Sequence, residues 1–105
     1  MNSNEVARLK TCSDEQKLRE LTEEIGDKIS FRGYSKDQVI DLVEELLKID
    51  LLSLEYATRE TILNVLCDSL LYYDIRNELN FGQLSRIKDR VETDLKEYIE
   101  EIVGE

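Results

Sequence analysis

Three kinds of side chain in this chain of 105 residues have the chemistry to do more than pack: 24 carboxylates, two thiols and five phenols. There is no histidine. Its absence removes the histidine-based triads and the Glu-x-x-His ligand sets of carboxylate di-metal bundles. The cysteines, Cys12 and Cys67, are far apart and lack CxxC spacing, so a structural zinc site is excluded as well. Cys67 lies in an apolar run and reads as a small buried hydrophobe. One disulfide between the two remains open from the sequence. No glycine-rich loop is present to cradle phosphates, and no calcium-loop pattern occurs.

The carboxylates are the remaining candidates for catalysis. Glu23/Glu24, Glu44/Glu45 and Glu100/Glu101 are adjacent pairs. Neighbours on a helix point about 100° apart, so such pairs do not converge on one substrate. Glu92, Lys96 and Glu100 have the i, i+4, i+8 spacing of surface ion pairs. The expectation is a protein without catalytic residues, cofactor or metal, and not an enzyme.

What the acids offer instead is a field. The formal net charge is −10, from 24 acids and 14 bases. That balance disfavours direct binding to nucleic acid or to an anionic membrane, and it favours a basic protein as partner. Residues 91–105 hold six acids and one base, Lys96. Among them Asp94, Glu97 and Glu101 fall at i, i+3 and i+7, an uncompensated stripe on one helical flank. These acids oppose the dipole at a helix C-terminal end, a cost that hints at another use. A second candidate is Leu70-Leu71-Tyr72-Tyr73-Asp74, where Tyr72 points about 100° away from the core stripe that Tyr73 continues. Aromatic residues beside acids are the mixture that protein interfaces use. The candidate partner-binding residues are therefore Tyr72, Tyr73, Asp74, Asp94, Glu97 and Glu101, with Tyr72 as the aromatic anchor.

Helices must position these residues. The chain has no proline and only four glycines, which favours helix over tight-turned sheet. Ser13-Asp14-Glu15-Gln16 and Ser35-Lys36-Asp37-Gln38 have the capping-box pattern, and Asn80 with Gln83 offers a third start. Thr58 is a further cap candidate. Apolar stripes follow each start: Leu18, Leu21, Ile25, Ile29; then Val39, Ile40, Leu42, Val43, Leu46, Leu47, which cover more than one face; then Ile62, Val65, Leu66, Leu70, Tyr73, widened by Leu63, Cys67 and Leu71; then Leu84, Ile87, Val91, Leu95, Tyr98, Ile102. Gly104 is placed to close the last. The spacing predicts an all-α, antiparallel four-helix bundle over roughly 14–30, 36–49, 58–79 and 82–103, one domain spanning 1–105 with a frayed lead-in over 1–12. That lead-in lacks the apolar core of a signal peptide, and no run is long enough to span a membrane, so the expected compartment is the cytoplasm.

Two strings carry a resemblance. Tyr34-Ser35-Lys36-Asp37-Gln38-Val39 and Leu71-Tyr72-Tyr73-Asp74 resemble the Tyr-Thr-x-x-Glu-Phe helix start and the Ile-Tyr-Tyr-Pro motif of the small acidic four-helix immunity proteins of the colicin DNase type. Asp74 stands where that family has proline, and Ser69 where it has an acid. The immunity proteins of pediocin-type bacteriocins are similar in architecture only. The resemblance implies an inhibitor of a basic nuclease, with Tyr72 and Tyr73 as aromatic anchors. The alternative reading is a structural protein, a homodimer or larger helical oligomer that buries its two-sided apolar helices.

Overall fold

The computed structural model describes residues 4–104. Residues 1–3 of the expected lead-in, and Glu105 of the acidic tail, lie outside the described residues. Among those described there are six α-helices and no strand: α1 (Asn4–Thr11), α2 (Glu15–Ser30), α3 (Lys36–Leu47), α4 (Tyr56–Tyr72), α5 (Gly82–Ile87) and α6 (Thr93–Val103). The all-helical expectation holds. None of the helices is long and apolar enough to cross a membrane.

The lead-in is not frayed from Asn4 onward. It forms α1, because Val6 and Leu9 have a core to enter. Glu5 accepts a hydrogen bond from the Tyr34 hydroxyl at 3.1 Å, and Arg8 pairs with Glu24. Helix α2 starts one residue later than the serine pattern suggests. Asp14, not Ser13, is the N-cap, its carboxylate accepting from the amides of Gln16 and Lys17. Helix α2 ends in a Schellman turn, in which Gly33 N–H reaches the Lys28 carbonyl and Arg32 N–H reaches that of Ile29. The left-handed position falls on Arg32 (φ 55°) rather than on glycine. Ser35 and Gln38 then form the expected capping box of α3.

Helix α4 begins at Tyr56, two residues before the expected cap. Thr58 is buried inside its first turn, and Glu55, the N-cap, makes no side-chain cap. A carboxylate from another helix supplies the missing acceptor. Glu15 Oε2 takes the Glu55 amide and the Thr58 hydroxyl, each at 2.8 Å. These bonds hold the carboxyl below its usual pKa range, the Glu55 amide contributing most.

Two further boundaries differ from the pattern. Helix α4 stops at Tyr72 instead of residue 79. Tyr73 is extended, Ile75 is fully buried, and a 3-10 turn covers Arg76–Glu78. Nothing in the sequence breaks the helix there; tertiary partners do. The Tyr73 hydroxyl donates to the Tyr34 carbonyl at 2.9 Å, Arg76 donates to the carbonyls of Ile102 and Glu101, and Lys36 pairs with Glu78. The expected helix over 82–103 is divided by a 3-10 turn at Lys88–Arg90 and extended backbone at Val91. Asn80 takes the Gly82 amide without capping α5, and Gln83 donates to the Ile49 carbonyl instead of closing a capping box. A bent helix keeps its apolar period, so the break leaves no mark on the stripe.

Cross-contacts fix the directions. Glu15 meets Thr58, Gly26 meets Val65 and Arg32 meets Tyr72, so α2 and α4 run in the same sense. Tyr56 meets Asp94, Cys67 meets Tyr98 and Arg76 meets Ile102, so α6 runs with them. The start of α3 meets the far end of α4, through Tyr34 with Tyr73 and Lys36 with Glu78, so α3 runs antiparallel to α4; between α4 and α6 the chain returns through residues 73–81, with their 3-10 turn, and α5. The four longest helices, α2, α3, α4 and α6, are thus not a simple alternation of up and down. The central position of α4 in the core agrees with its apolar sequence: it packs on α2, α3 and α6, with Ile62, Leu63 and Leu66 fully enclosed.

Candidate functional site

With α2, α4 and α6 side by side and parallel, their solvent edges form one surface. Glu23 and Asp27 reach it from α2, Glu60 and Asp68 from α4, and Tyr98 from α6, around a groove of about 510 Å³. Gly26 and Val65 also line this groove, which no base enters. Tyr98 belongs equally to a second recess of about 280 Å³ on α6, shared with Asp94, Glu97 and Glu101. The acidic stripe read from the sequence is therefore the outer half of a larger acidic surface.

Two groups are shifted by this environment. Burial raises the Asp68 carboxyl above its ordinary pKa. The Tyr98 phenol is also raised, by burial first and then by Glu60, Cys67, Asp94 and Asp68 around it. A tyrosine whose ionisation is opposed by three surrounding carboxylates stays a neutral aromatic surface with a donor hydroxyl.

The three stripe acids differ in their engagements. Asp94 accepts a hydrogen bond from the Tyr56 hydroxyl, which Glu60 also meets at 3.4 Å. That bond to Asp94 is the main reason the Tyr56 phenol is raised well above its ordinary pKa. Glu97 and Glu101 are exposed. The Arg76 contact to Glu101 is made with its backbone carbonyl.

Tyr72, Tyr73 and Asp74 sit at the far end of α4. Asp74 is exposed. Tyr73 ties the end of α4 to the turn after α2 through its bond to Tyr34. The half-buried Tyr72 ring lies 6.0 Å from the Arg32 guanidinium, a cation–π arrangement facing α2. The residues of this segment that share a recess with Glu101 are Leu70 and Leu71, and Leu71 is 73% exposed. Sequence reasoning placed Leu71 on a widened core stripe and Tyr98 on the core stripe of the last helix. A trace of the groove in the sequence is Glu60, Asn64 and Asp68, a polar i, i+4, i+8 row in the most apolar of the helices.

Both cysteines are free thiols. Burial, and then the nearby Glu101 and Asp68, push the Cys67 thiol up to about 12, which disfavours the reactive thiolate. Among the described residues, no three carboxylate or thiol side chains come together in a way that could hold a metal ion. Comparisons with protein-family models, with curated proteins and with solved structures found no match.

Proposed function

We propose that this chain is a small acidic binding protein that inhibits or regulates a basic protein, as immunity and antitoxin proteins do. The observation that carries the reading is the acidic surface across α2, α4 and α6, with Tyr98 between its two recesses and no base lining either. Such a field steers a cationic partner and excludes nucleic acid and anionic membrane. The likeness of Tyr34–Val39 and Leu71–Asp74 to the colicin DNase immunity motifs favours the inhibitor class. Tyr72, Tyr73 and Asp74 are then the aromatic end of the interface, and Asp94, Glu97 and Glu101 its charged flank. The protein acts by occupancy, without catalysis or cofactor, and its two free thiols suit the reducing cytoplasm.

The test is kinetic, on a partner captured from the source cell. The partner is basic, and its association rate falls with salt. Charge reversal at Glu97 and Glu101 lowers that rate and flattens its salt dependence. Tyr72→Ala raises the dissociation rate by a hot-spot-sized amount, on the order of 2 kcal/mol. A neutral or acidic partner, bound independently of salt, sinks the reading. If Tyr72→Ala instead lowers Tm and leaves binding intact, the ring belongs to the fold.

A second reading, a homo-oligomer, is favoured by two exposed apolar side chains, Phe31 (85%) and Leu71. Sedimentation at tens of micromolar separates the two. A dimer dissolved by Phe31→Ser or Leu71→Ser supports assembly, and a monomer supports the binding protein.

A further inference from the structure

Leu71 leaves the last turn of the most apolar helix and stands in solvent, although its neighbours Leu70 and Tyr72 are half-buried. It walls a recess of about 160 Å³ between α4 and α6, lined also by Cys67, Leu70, Arg76, Glu101 and Ile102. A cavity of ~150 Å³ is enough for a benzene ring, so this recess admits one apolar side chain. Arg76 stands at the rim, where its guanidinium is held by the carbonyls of Ile102 and Glu101. It is therefore not free to fold over Leu71.

Glu101 is shared between this apolar recess and the acidic recess of Asp94, Glu97 and Tyr98. The two form one strip along α6, acidic for two turns and apolar at its end. Asp94, Glu97 and Glu101 span roughly 10 Å of helix axis at 1.5 Å per residue. A second helix lying alongside repeats its own side chains at the same i, i+3, i+7 intervals, so its cations match this row.

We propose that the strip is the docking site of a basic amphipathic helix of the partner. Lysines or arginines of that helix meet Glu97 and Glu101, and one apolar side chain enters the recess beside Leu71. The inference rests on the basic-partner reading above and names the segment that this partner presents. Charge complementarity selects the occupant. An acidic segment is repelled by the row, and a second copy of this chain brings an identical acidic row, on a molecule of net charge −10, against the first. Asp94, engaged by Tyr56, contributes to the field more than to direct contact.

Two 21-residue helical peptides test it on the full chain, labelled for amide NMR. Both carry lysines at i, i+3 and i+7, and they differ only in one leucine or one serine a turn beyond. Binding of the leucine peptide is expected to move the amides of Leu70, Leu71, Glu97, Glu101 and Ile102. It should be tighter than the serine peptide by about tenfold, the size of one well-placed apolar anchor. Leu71→Ser abolishes that difference without changing the salt dependence, while Glu97→Gln with Glu101→Gln weakens both peptides alike.

Equal binding of the two peptides to the wild type overturns the docking inference. So does a shift pattern centred on Glu23, Asp27 and Glu60; both outcomes leave the basic-partner reading standing. A dimer that Leu71→Ser dissolves assigns the strip to a second copy and overturns it too. If neither peptide binds and the captured partner is not basic, the underlying reading falls with it.

Discussion

Along the middle of the seam between α2 and α4, between the Glu15 bonds at its start and the Arg32–Tyr72 contact at its end, the side chains that meet are aliphatic or small. Ile25, Ile29, Ile62 and Leu66 are enclosed, and Gly26 lies so close to Val65 that an added Cβ would stand 2.9 Å from its Cγ2. The buried hydroxyls of Thr22 and Ser69 donate to carbonyls one turn back, so they make no demand on the neighbouring helix. The seam between α4 and α6 starts from the same central helix and is built differently. Leu95, Ile99 and Ile102 are buried, but the outer contacts are polar: Tyr56 to Asp94, Arg59 to Glu92 at 3.3 Å, Arg76 to the end of α6. Leu71 and Tyr98 are left at its edge. The α2 side of α4 is packed along its middle and bonded at its ends, whereas the α6 side is bonded along its outer edge with apolar surface still open. The first seam draws its stability chiefly from packing, and the second leaves Leu71 and part of Tyr98 open to solvent.

Two leucines five residues apart put that contrast at greatest risk. Leu66 is 1% exposed and Leu71 is 73% exposed. Leu66→Ala is expected to cost about 3 kcal/mol, and to lower Tm by roughly 15 °C in a domain of this size. Leu71→Ala should stay within about 0.5 kcal/mol of wild type. Chemical denaturation of both variants measures this directly. Comparable losses would mean that the α4–α6 seam is as closed as the other.

The glycine gives the next largest effect. Alanine is the better helix former by about 1 kcal/mol, so Gly26→Ala would stabilise an open helix face. Against Val65, which is 97% enclosed, the new methyl has nowhere to go. A net loss of about 1–2 kcal/mol is expected, as for other overpacked sites. Val65→Ala should absorb most of it, so a double-mutant cycle should show strong coupling between the two positions. Additive losses would mean that positions 26 and 65 do not press on each other.

These seams also mark the limit of what the sequence discloses. The stripe from Leu18 to Ile29, the capping box at Ser35 and the left-handed Gly104 (φ 82°) were all legible, because each depends on neighbours within one or two turns. The end of α4 was not, since it is set by bonds from Tyr73 to Tyr34 and from Arg76 to Ile102, partners at least 26 positions away. Of the candidate surface, the row Asp94, Glu97, Glu101 follows from spacing alone. Its continuation through Tyr98 to Glu60 and Asp27 needs three helices side by side and parallel, an arrangement that no stripe encodes. Likewise, a stripe cannot tell that Leu71 lies outside the covered part of α4.

Glu15 joins the starts of α2 and α4, and its effect is read through pH. The folded state holds this carboxyl below its ordinary pKa of 4.5. Its contribution is therefore complete above about pH 4.5 and is lost as pH falls through the lower folded value. Glu15→Gln should lower Tm at pH 7 and flatten the fall of Tm between pH 5 and 3. Asp89 is lowered as well, by its bond to Lys96, but that pair is largely exposed at the start of the α6 side. Asp89→Asn should change the acid limb less, and 0.5 M salt should remove most of the change. A larger effect at Asp89 would mean that this pair, and not the Glu15 acceptor, governs the acid limb.

The smallest effect concerns the far end of the tight seam, where Arg32 occupies a left-handed position that glycine fills without strain. A non-glycine residue there costs roughly 1 kcal/mol. The arginine returns part of this by lying over Tyr72, an exposed cation–π contact of about 0.5–1 kcal/mol. The two effects have opposite sign, so Arg32→Gly alone should move stability by no more than about 0.5 kcal/mol. In a Tyr72→Ala background the ring contact is already gone, and only relief of strain remains. There Arg32→Gly should stabilise, by roughly 0.5–1 kcal/mol. Urea denaturation of the four proteins in this cycle gives the coupling. If Arg32→Gly has the same effect in both backgrounds, the guanidinium does not act on Tyr72. The ring would then be held at the end of α4 by packing alone, and it would be free to offer that face to a partner.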